Sequence, residues 1–348
     1  MGGTPALPDA RYGGRVSEYG ASEPSVTIVI PTRDRPRLIA DTLRALLGLV
    51  PPNVDIVVVD QSADNATRDV VARAEGGTRL HHYGTSTIGL SAGRNIGYQL
   101  ATTDLVVYVD DDCIVTEGWL SALVREFVSS DAVAAYGRLI PFEDGPRTGT
   151  EVGFKNVERR QEYAGRTPPW HVGHGGNMAF RRRELEDVGG FDELLGAGAP
   201  LRSGEDGDIG YRLLARGKRL AYVPDALVHH RHWKSWSAQQ AMERSYGVGA
   251  GAQFAKYVRC GDLYGIRLFL RWTWELGVRR VGAGLIKWRS WRVVYLGYCQ
   301  LVYPLIGALT SLGYAVDRQL VVYRAPERGS ATETFRDPAR DELRRGAR

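Results

Sequence analysis

The stretch Asp104-Leu-Val-Val-Tyr-Val-Asp-Asp-Asp-Cys-Ile-Val115 determines how the rest of the chain is interpreted. Its apolar, mostly β-branched run from Leu105 to Val109 predicts a strand that is buried on both faces. Three consecutive carboxylates follow this strand, Asp110, Asp111 and Asp112. Open α/β sheets bind ligands beyond the carboxyl ends of their strands, and a hard divalent cation would offset the adjacent negative charges. A solvated acidic turn is the alternative, and the strand before the triplet favours a metal site.

The composition is that of a globular protein, with 348 residues of which 43% are hydrophobic and 24% charged. This is enough for one large α/β domain with an appendage. The formal net charge of +5 is mild and the basic residues concentrate late in the chain, which favours an anionic membrane surface over nucleic acid as a partner. The widely spaced Cys113, Cys260 and Cys299 argue against a disulfide framework and a zinc site, and fit a reducing cytosol.

Two βα units are predicted before the acidic stretch. Val26 to Ile30 predicts a buried strand, followed by the turn Pro31-Thr-Arg-Asp-Arg35 and an amphipathic helix. A second predicted strand, residues 54–59, ends in Asp60, and a helix follows near residues 66–74. An acidic residue at this strand end commonly binds a nucleoside, while its alternative role is to cap the next helix, as Asp64 would do.

The segment Gly89-Leu-Ser-Ala-Gly-Arg-Asn-Ile-Gly97 predicts the start of another helix. Ser91 is a natural N-cap, which would place Arg94 and Asn95 in the first turn, where backbone amides and a guanidinium favour an anion such as a diphosphate. An ordinary capped surface helix is the alternative. The sequence has no Gly-x-Gly-x-x-Gly after the first strand and no Walker motif, which disfavours dinucleotide oxidoreductases and P-loop enzymes.

Taken in order, these motifs resemble those of the family 2 glycosyltransferases with the GT-A fold, over roughly residues 25–232. In that family a Pro-x-x-x-Arg turn matches Pro31 to Arg35, and an Asp that contacts the base matches Asp60. An Ala-Arg-Asn-like segment matches Gly93-Arg94-Asn95, and the Asp-x-Asp motif that holds nucleotide and metal matches Asp110 to Asp112. The resemblance implies an α/β fold with a Rossmann-like, mostly parallel sheet flanked by helices, and a C-terminal helical appendage.

The middle of the chain continues this resemblance. Residues 141–172 are polar, Pro-rich and long for a simple connection. Gly175-Gly-Asn-Met-Ala-Phe180 and Val188-Gly-Gly-Phe-Asp192 resemble the segment that closes under the donor sugar and acceptor, which implies contacts from Gly176 and Asn177. Glycines equally allow two backbones to pack closely.

An acidic pair, Glu205-Asp206, stands at the start of a predicted amphipathic helix. In the family this motif supplies the general base, which implies Asp206 as the base and places Glu205 near the acceptor or donor sugar. Matching of charge to the helix N-terminus is the alternative. A short predicted strand, residues 219–223, leads to the cluster His229-His230-Arg231-His232. Many relatives have a metal-binding His about here, and counting from Pro224 favours His230.

From Trp233 onward tryptophans alternate with cationic residues, a pattern typical of a surface that lies at a membrane interface. The residues concerned are Trp233, Trp236, Trp272, Trp274, Trp288 and Trp291, with Arg267, Arg271, Arg279, Arg280, Lys287, Arg289 and Arg292. Residues 293–316 carry no charge and could span a bilayer, although Gln300 and Pro304 make them only moderately hydrophobic. An interfacial or re-entrant helical hairpin is expected, with a buried helical pair as the alternative. Gly247-Val-Gly-Ala-Gly251 predicts close helix packing.

The predicted organisation has four parts. Residues 1–24 form a flexible leader without the features of a signal peptide, residues 25–232 a GT-A catalytic domain, residues 233–325 a membrane-associated helical region, and residues 326–348 a disordered tail. Attachment to the cytoplasmic face of the cell membrane is expected.

The resemblance implies transfer of a sugar, with inversion, from a nucleotide-diphospho-sugar to a hydroxyl of a glycan or lipid-linked acceptor, with Mn²⁺ or Mg²⁺ as cofactor. The nucleotide would be held by Pro31, Arg35, Asp60, Arg94, Asp110 and Asp111, and the metal by Asp112 and His230. Two other functions remain open. A sugar-phosphate nucleotidyltransferase should show a Gly-rich signature with Lys after the first strand, where this chain has Pro31 to Arg35. A membrane-docked binding protein with a degenerate site would not be expected to keep Asp110, Asp112 and Asp206.

Overall fold

The structure, a computed structural model, describes residues 23–142, 150–151, 155–231 and 233–325. Most of the predicted leader, the predicted tail and His232 lie outside the described residues. The chain begins with β1 (Val26–Thr32), α1 (Pro36–Leu49), β2 (Asp55–Asp60), α2 (Ala66–Arg73), β3 (Leu80–Gly84), α3 (Leu90–Leu100) and β4 (Leu105–Val109). These strands lie in the order β3-β2-β1-β4 and are parallel, as the successive βα units predict.

The second half of the sheet mixes both strand directions. Its elements are β5 (Cys113–Val115), α4 (Trp119–Ser129), β6 (Ala134–Pro141), β7 (Thr150–Glu151), β8 (Gln161–Tyr163), β9 (Asn177–Arg181), α5 (Arg182–Asp187), α6 (Glu205–Ala215) and β10 (Leu220–His230). The sheet continues from β4 as β9-β6-β10-β5, with β8 on β10. β9 runs antiparallel between β4 and β6, whereas β6 and β10 are parallel. The fold is therefore mixed α/β with a Rossmann-like parallel half.

Two strands differ from the sequence interpretation. No strand was predicted in the glycine-rich segment 175–180, but Asn177–Arg181 is a central strand of the sheet. The last strand was expected to end at Val223, but β10 continues past Pro224 to His230. Its register shifts between Val223 and Leu227, and such an irregularity accommodates a proline, which has no N–H for the ladder.

Side chains of the central strands alternate between two apolar cores. Ile28 and Val107 belong to the core beneath α1 and α4, whereas Val29 and Tyr108 belong to the core on the other face. Every residue of β4 is buried, because both faces of the strand are covered. This burial explains why the run before the acidic triplet lacks polar residues.

The remaining chain, called the helical region (residues 233–325), forms a layered helical bundle. It contains β11 (Trp233–Lys234, paired with β7), α7 (Trp236–Arg259), α8 (Tyr264–Trp272), a π-helical segment (Thr273–Val278), α9 (Arg279–Ile286), α10 (Trp291–Ser311), β12 (Ala315–Asp317) and β13 (Val322–Arg324). α10 packs directly along α7. A Cβ added to Gly251 would lie 1.8 Å from the Pro304 carbonyl oxygen, and one on Gly307 1.9 Å from that of Val248. The predicted close packing around Gly247–Gly251 is confirmed.

A buried ion cluster joins the helical region to the sheet. Lys256 Nζ on α7 lies 2.6 Å from Asp192 Oδ2 and 2.7 Å from Asp208 Oδ1, and all three side chains are fully buried. Arg212 Nε contacts the other oxygen of Asp208 at 2.8 Å. Asp192 also accepts a hydrogen bond from the Tyr323 N–H at the end of the helical region. The helical region and the sheet therefore share one interior.

Only part of α10 is buried in this arrangement. Among the described residues it is the one helix that is long and apolar enough to cross a membrane, and 33% of its apolar window is buried. Gln300 and Pro304 face α7, while Leu305, Leu309 and Leu312 are exposed. One face of α10 is therefore packed as in a buried helical pair, while its opposite face is exposed.

Candidate active site

A cleft of about 1260 Å³ lies at the carboxyl ends of β1 and β4. Its floor is formed by the β1 end with Pro31 and Thr32 and by the acidic triplet after β4. The start of α6 and residues 173–176 line the opposite side, and α7 and α8 close one end. The cleft is where ligands of open α/β sheets bind.

The acidic triplet is held from the β1 side. Thr32 Oγ1 donates to Asp111 Oδ2 at 2.7 Å, and the Arg35 guanidinium donates to Asp111 Oδ1 at 3.0 Å and lies 3.4 Å from Asp112 Oδ2. Burial raises the pKa of Asp111 to about 6, although the charge of Arg35 opposes this shift. The predicted residues Pro31, Arg35 and Asp111 therefore lie together, in a place where negative charge is concentrated and a cation is favoured.

His230 lies beside the acidic triplet in the part of the chain that the structure describes. Its Nε2 lies 3.1 Å from Asp112 Oδ1 at the end of β10. The neighbouring His229 packs edge-on against the Phe142 ring, with centroids 6.0 Å apart, because adjacent strand residues point to opposite faces. A carboxylate with an imidazole is a donor set that suits a divalent ion such as Mn²⁺.

Cys113 completes a geometric group with Asp112 and His230, whose potential ligand atoms all lie within 4.8 Å of one another. The thiol is fully buried in the core, and burial raises the pKa of Cys113 well above its usual range. The thiolate is the form that binds metals, so a thiol kept protonated is a poor ligand. The residues present therefore fit a metal held by Asp112 and His230.

Arg94 does not lie where the sequence predicted. α3 begins at Leu90 after Gly89, so Arg94 is in the second turn, and Ser91 is inside the helix, where its hydroxyl donates to the Leu195 carbonyl at 2.6 Å. The predicted Ser91 cap is wrong because the sharp backbone turn at Gly89, with a φ of 131°, starts the helix earlier.

The Arg94 guanidinium is 1% exposed and bridges two acidic segments. It donates to Glu205 Oε1 at 2.9 Å, to Asp110 Oδ1 at 3.2 Å and to the Gly175 carbonyl oxygen at 3.1 Å. These contacts turn its donors toward the protein, so the arrangement does not support the prediction that Arg94 binds a diphosphate. Arg94 instead orients Asp110 and Glu205.

Two glycines permit this bridge. A Cβ on Gly175 would lie 2.7 Å from an Arg94 nitrogen, and one on Gly176 would lie 3.0 Å from Asp110 Oδ2. A side chain at either position would displace the Arg94 guanidinium or the Asp110 carboxylate. Gly176 lines the cleft and lets the backbone approach Asp110, and its contact with a sugar stays a prediction.

Asn177 is a structural residue and not part of the cleft wall. Its Oδ1 accepts a hydrogen bond from Trp119 Nε1 at 2.9 Å, and its Nδ2 donates to the Arg138 and Ala226 carbonyls at 3.0 and 2.8 Å. The predicted sugar contact is wrong because the alternation of β9 places Asn177 on the same buried face as Ala179. The fully satisfied amide ties β9 to β6, β10 and α4.

Asp206 and Glu205 both line the cleft, and Asp206 is the more exposed of the two. Its Oδ2 accepts the Gly175 N–H and its Oδ1 the Gly207 N–H, both at 2.8 Å, and the residue is partly exposed. Glu205 is buried against Arg94, and burial together with the charge of Asp206 raises the pKa of Glu205 to about 7. Asp208 is fully buried in the ion cluster with Lys256.

Asp60, which was predicted to contact a nucleoside, is buried and is not among the residues that line the cleft. Its Oδ1 accepts the Ser62 N–H at 2.9 Å, and its Oδ2 lies 2.9 Å from His82 Nε2. The next residue, Gln61, lines the cleft instead and donates to the Thr87 and Gly89 carbonyls. Contact between Asp60 and a nucleoside stays a prediction. Asp64 does accept the Ala66 N–H at the start of α2, as a capping residue would.

Sequence reasoning missed one wall of the cleft. Trp170, Met242, Tyr246, Trp272 and Leu276 line it, and the last four belong to the helical region. Trp272 was grouped with the membrane-facing tryptophans because composition does not report which face of a helix meets another element. A helical period through α7 and α8 could have indicated an inner face but not its neighbour.

The sequence pattern of the family described as Glycosyl transferase family 2 matches residues 27–189. This segment contains the β1 turn, the acidic triplet and Gly175–Gly176, which form one side of the cleft. Residues 27–189 are therefore similar to a family 2 glycosyltransferase domain. α6 and β10 follow this segment in the chain and supply Asp206 and His230 to the same cleft.

Two named relatives are similar to more than half of this chain. The chain is 33% identical over 238 residues to a pre-mycofactocin glycosyltransferase of Mycobacterium tuberculosis, covering 66% of this chain and 48% of that protein. It is 24% identical over 240 residues to a chondroitin synthase of Escherichia coli, covering 59% of this chain and 34% of that protein. The chain thus spans about half the length or less of these two relatives.

The fold is similar to that of a mannosyltransferase from Pyrobaculum calidifontis, solved in complex with GDP-Man and Mn²⁺. That similarity has a TM-score of 0.55 and 17% identity, and covers 83% of this chain and 87% of the other. The structure of GalNAc-T7 with UDP, GalNAc and Mn²⁺ is similar with a TM-score of 0.50 and 17% identity, over 68% and 51% of the two chains. The predicted GT-A fold is confirmed.

Proposed function

We propose that this protein transfers a sugar from a nucleotide-diphospho-sugar to an acceptor hydroxyl. The observation that carries the proposal is that Asp206 lines the same cleft as the Asp112–His230 pair, so a base and a cation site face one volume. The family 2 domain and the nucleotide-bound structural neighbours support the donor class.

The cofactor of this proposal is Mn²⁺ or Mg²⁺, held by Asp112 and His230. The chemistry of a carboxylate and an imidazole supports this choice, as do the Mn²⁺ ions of the two structural neighbours. When bound, such an ion neutralises negative charge on a leaving diphosphate. Arg35 and Thr32 keep Asp111 in place beside it through their hydrogen bonds.

In the proposed reaction the acceptor hydroxyl attacks the anomeric carbon from the face opposite the diphosphate, which inverts the configuration. Asp206 takes the hydroxyl proton as the new bond forms and the bond to the diphosphate breaks. Two backbone N–H groups orient its carboxylate, and each oxygen keeps a further lone pair for that proton. A positioned base of this kind is the usual device of general base catalysis.

The donor half is tested by a thermal-shift panel of nucleoside diphosphates with and without Mn²⁺. A ligand that binds only the folded state at 100 times its Kd stabilises by about 2.7 kcal/mol, so the matching nucleotide should raise the Tm, and more so with Mn²⁺. Asp112→Ala should fold normally and lose the Mn²⁺-dependent part of this rise. Asp69→Ala, which removes an exposed carboxylate of α2, serves as the control. An equal Mn²⁺-dependent rise in Asp112→Ala would overturn the metal assignment.

For its location we propose peripheral attachment to the cytoplasmic face of an anionic membrane, through α8–α10. These helices expose large apolar side chains, including Trp274 at 58%, Trp288 at 53% and Trp291 at 79%. Exposed basic residues accompany them, namely Arg267, Arg279, Lys287, Arg289 and Arg292. Tryptophans beside cationic residues are typical of interfacial anchoring, and the packing of α10 on α7 favours surface attachment over a span.

Vesicle co-sedimentation tests this attachment. The protein should bind vesicles that contain phosphatidylserine and not neutral phosphatidylcholine vesicles, and salt should weaken the binding. Replacing Arg289 and Arg292 by Gln should cost about 1 kcal/mol of binding free energy for each residue. Replacing the exposed Arg68 and Arg73 of α2 by Gln should leave vesicle binding unchanged. Equal binding to both vesicle types, or to neither, would contradict the proposal.

A further inference from the structure

The two ends of the cleft differ in chemistry. One end carries the acidic triplet, Arg35 and His230. The helical region and residue 170 contribute a set of large, mostly apolar side chains to the other end, beside the polar Ser245 and Gln253 of α7. We call this set the aromatic wall, and its members are Trp170, Met242, Tyr246, Trp272 and Leu276.

The two indoles of the aromatic wall present carbon to the cleft. Trp170 and Trp272 pack edge to face with ring centroids 5.1 Å apart, and Phe254 supports both rings. The Trp170 N–H donates to Glu275 Oε2 at 3.2 Å, and the Trp272 N–H donates to Gln300 Oε1 at 3.0 Å. Since both donors are already used within the protein, the half-buried rings recognise an apolar surface better than a polar one.

The aromatic wall begins beside the candidate base. Gly207 follows Asp206, and a Cβ on Gly207 would lie 3.0 Å from Pro169 Cβ, next to Trp170. A molecule whose hydroxyl reaches Asp206 would therefore lie next to Trp170 of the aromatic wall. Trp272 and Leu276 face the cleft, whereas Trp274, between them in the chain, is exposed on the outside of the protein. The cleft-facing and solvent-facing sides of this segment are therefore different surfaces.

We propose that the aromatic wall binds an apolar group of the acceptor, an alkyl chain or aromatic ring attached next to the reacting hydroxyl. This inference rests on the proposed function, because it treats the wall as the acceptor end of the cleft. A purely saccharide acceptor would need many hydrogen-bond partners, and the wall is built mostly of carbon. The acceptor is thus amphiphilic, with a polar reacting end and an apolar remainder.

The test compares binding of n-octyl and methyl β-D-glucopyranoside, which share a sugar and differ in the apolar tail. Saturation-transfer NMR below the micelle concentration of the octyl compound should show binding of that compound with transfer to its alkyl protons, and weaker or no binding of the methyl compound. Trp272→Ala should weaken octyl glucoside binding about tenfold or more, as loss of a few buried methylene contacts does. Leu276→Asn, which leaves the Trp170–Trp272 packing intact, should also weaken octyl glucoside binding.

Trp274→Ala is the matched control, because it removes an exposed tryptophan of the same segment. It should leave octyl glucoside binding unchanged, and all three variants should keep the nucleotide-dependent Tm rise. Equal binding of both glucosides, or equal loss in Trp274→Ala and Trp272→Ala, would overturn the inference while the nucleotide result stands. Absence of any nucleotide effect in the wild type would instead count against the proposed function.

Discussion

Replacing Asp206 by Asn is expected to lower turnover by about 10²–10⁴-fold, which is the usual contribution of a positioned general base. The amide cannot take the proton of the acceptor hydroxyl. Its NH₂ group also faces one of the two N–H donors, of Gly175 and Gly207, so that donor loses its acceptor. Nucleotide affinity should hardly change, because the acidic triplet and Arg35 lie on the other side of the cleft.

The measurement is release of the nucleoside diphosphate at saturating donor and acceptor, with the free energy of unfolding of each variant measured in parallel. Glu205→Gln is the matched comparison and should cost less in turnover, because Glu205 is buried against Arg94. Near-wild-type turnover in Asp206→Asn would assign the base to Glu205, whose raised pKa of about 7 suits proton transfer near neutral pH. Asp208 is unsuited to act as the base, because its carboxylate is fully buried between Arg212 and Lys256.

Replacing Lys256 by Met is expected to lower the free energy of unfolding by about 3–5 kcal/mol, as removal of one partner from a buried ion cluster does. The substitution leaves Asp192 and Asp208 buried without the cation that contacts both. Arg212 still pairs with Asp208, so the loss should be felt mainly at Asp192. Urea denaturation followed by tryptophan fluorescence measures the change.

Lys218→Met is the control for this substitution. It removes a partly exposed ion pair with Glu184, worth about 0–1 kcal/mol. The wild type should unfold in a single transition, because the helical region shares its interior with the sheet. A change below 1 kcal/mol in Lys256→Met, or a separate early transition of the helical region, would contradict this shared interior.

Local sequence signals predicted the parallel half of the fold. β1, β2 and β4 are buried on both faces, and such strands consist of continuous apolar runs. These runs can be recognised in the sequence without knowing which elements pack against them. β9 was missed because Asn177 and the preceding glycines resemble a loop. Its position is decided by Trp119, Arg138 and Ala226, which are remote in sequence.

In the candidate site, too, local sequence signals predicted some residues, while others depend on contacts between distant parts of the chain. The acidic triplet was identified from its place after a predicted strand and His230 from the family resemblance, and the structure places His230 Nε2 3.1 Å from Asp112 Oδ1. Arg94 was misassigned because a guanidinium near a helix start has the same local pattern whether it meets an anion or two protein carboxylates. Only the fold reveals that Glu205, 111 residues later, is its partner.

α7 combines three tasks along one continuous helix. Its first half lines the cleft through Met242 and Tyr246, its glycines admit α10, and its last turns carry Lys256. For protein engineering this means that the acceptor end cannot be exchanged as a separate module at residue 232. A chimera would have to retain the register of α7 from the cleft to the ion cluster. Altered acceptor preference is therefore better sought by point substitutions on the cleft side of this helix than by recombination.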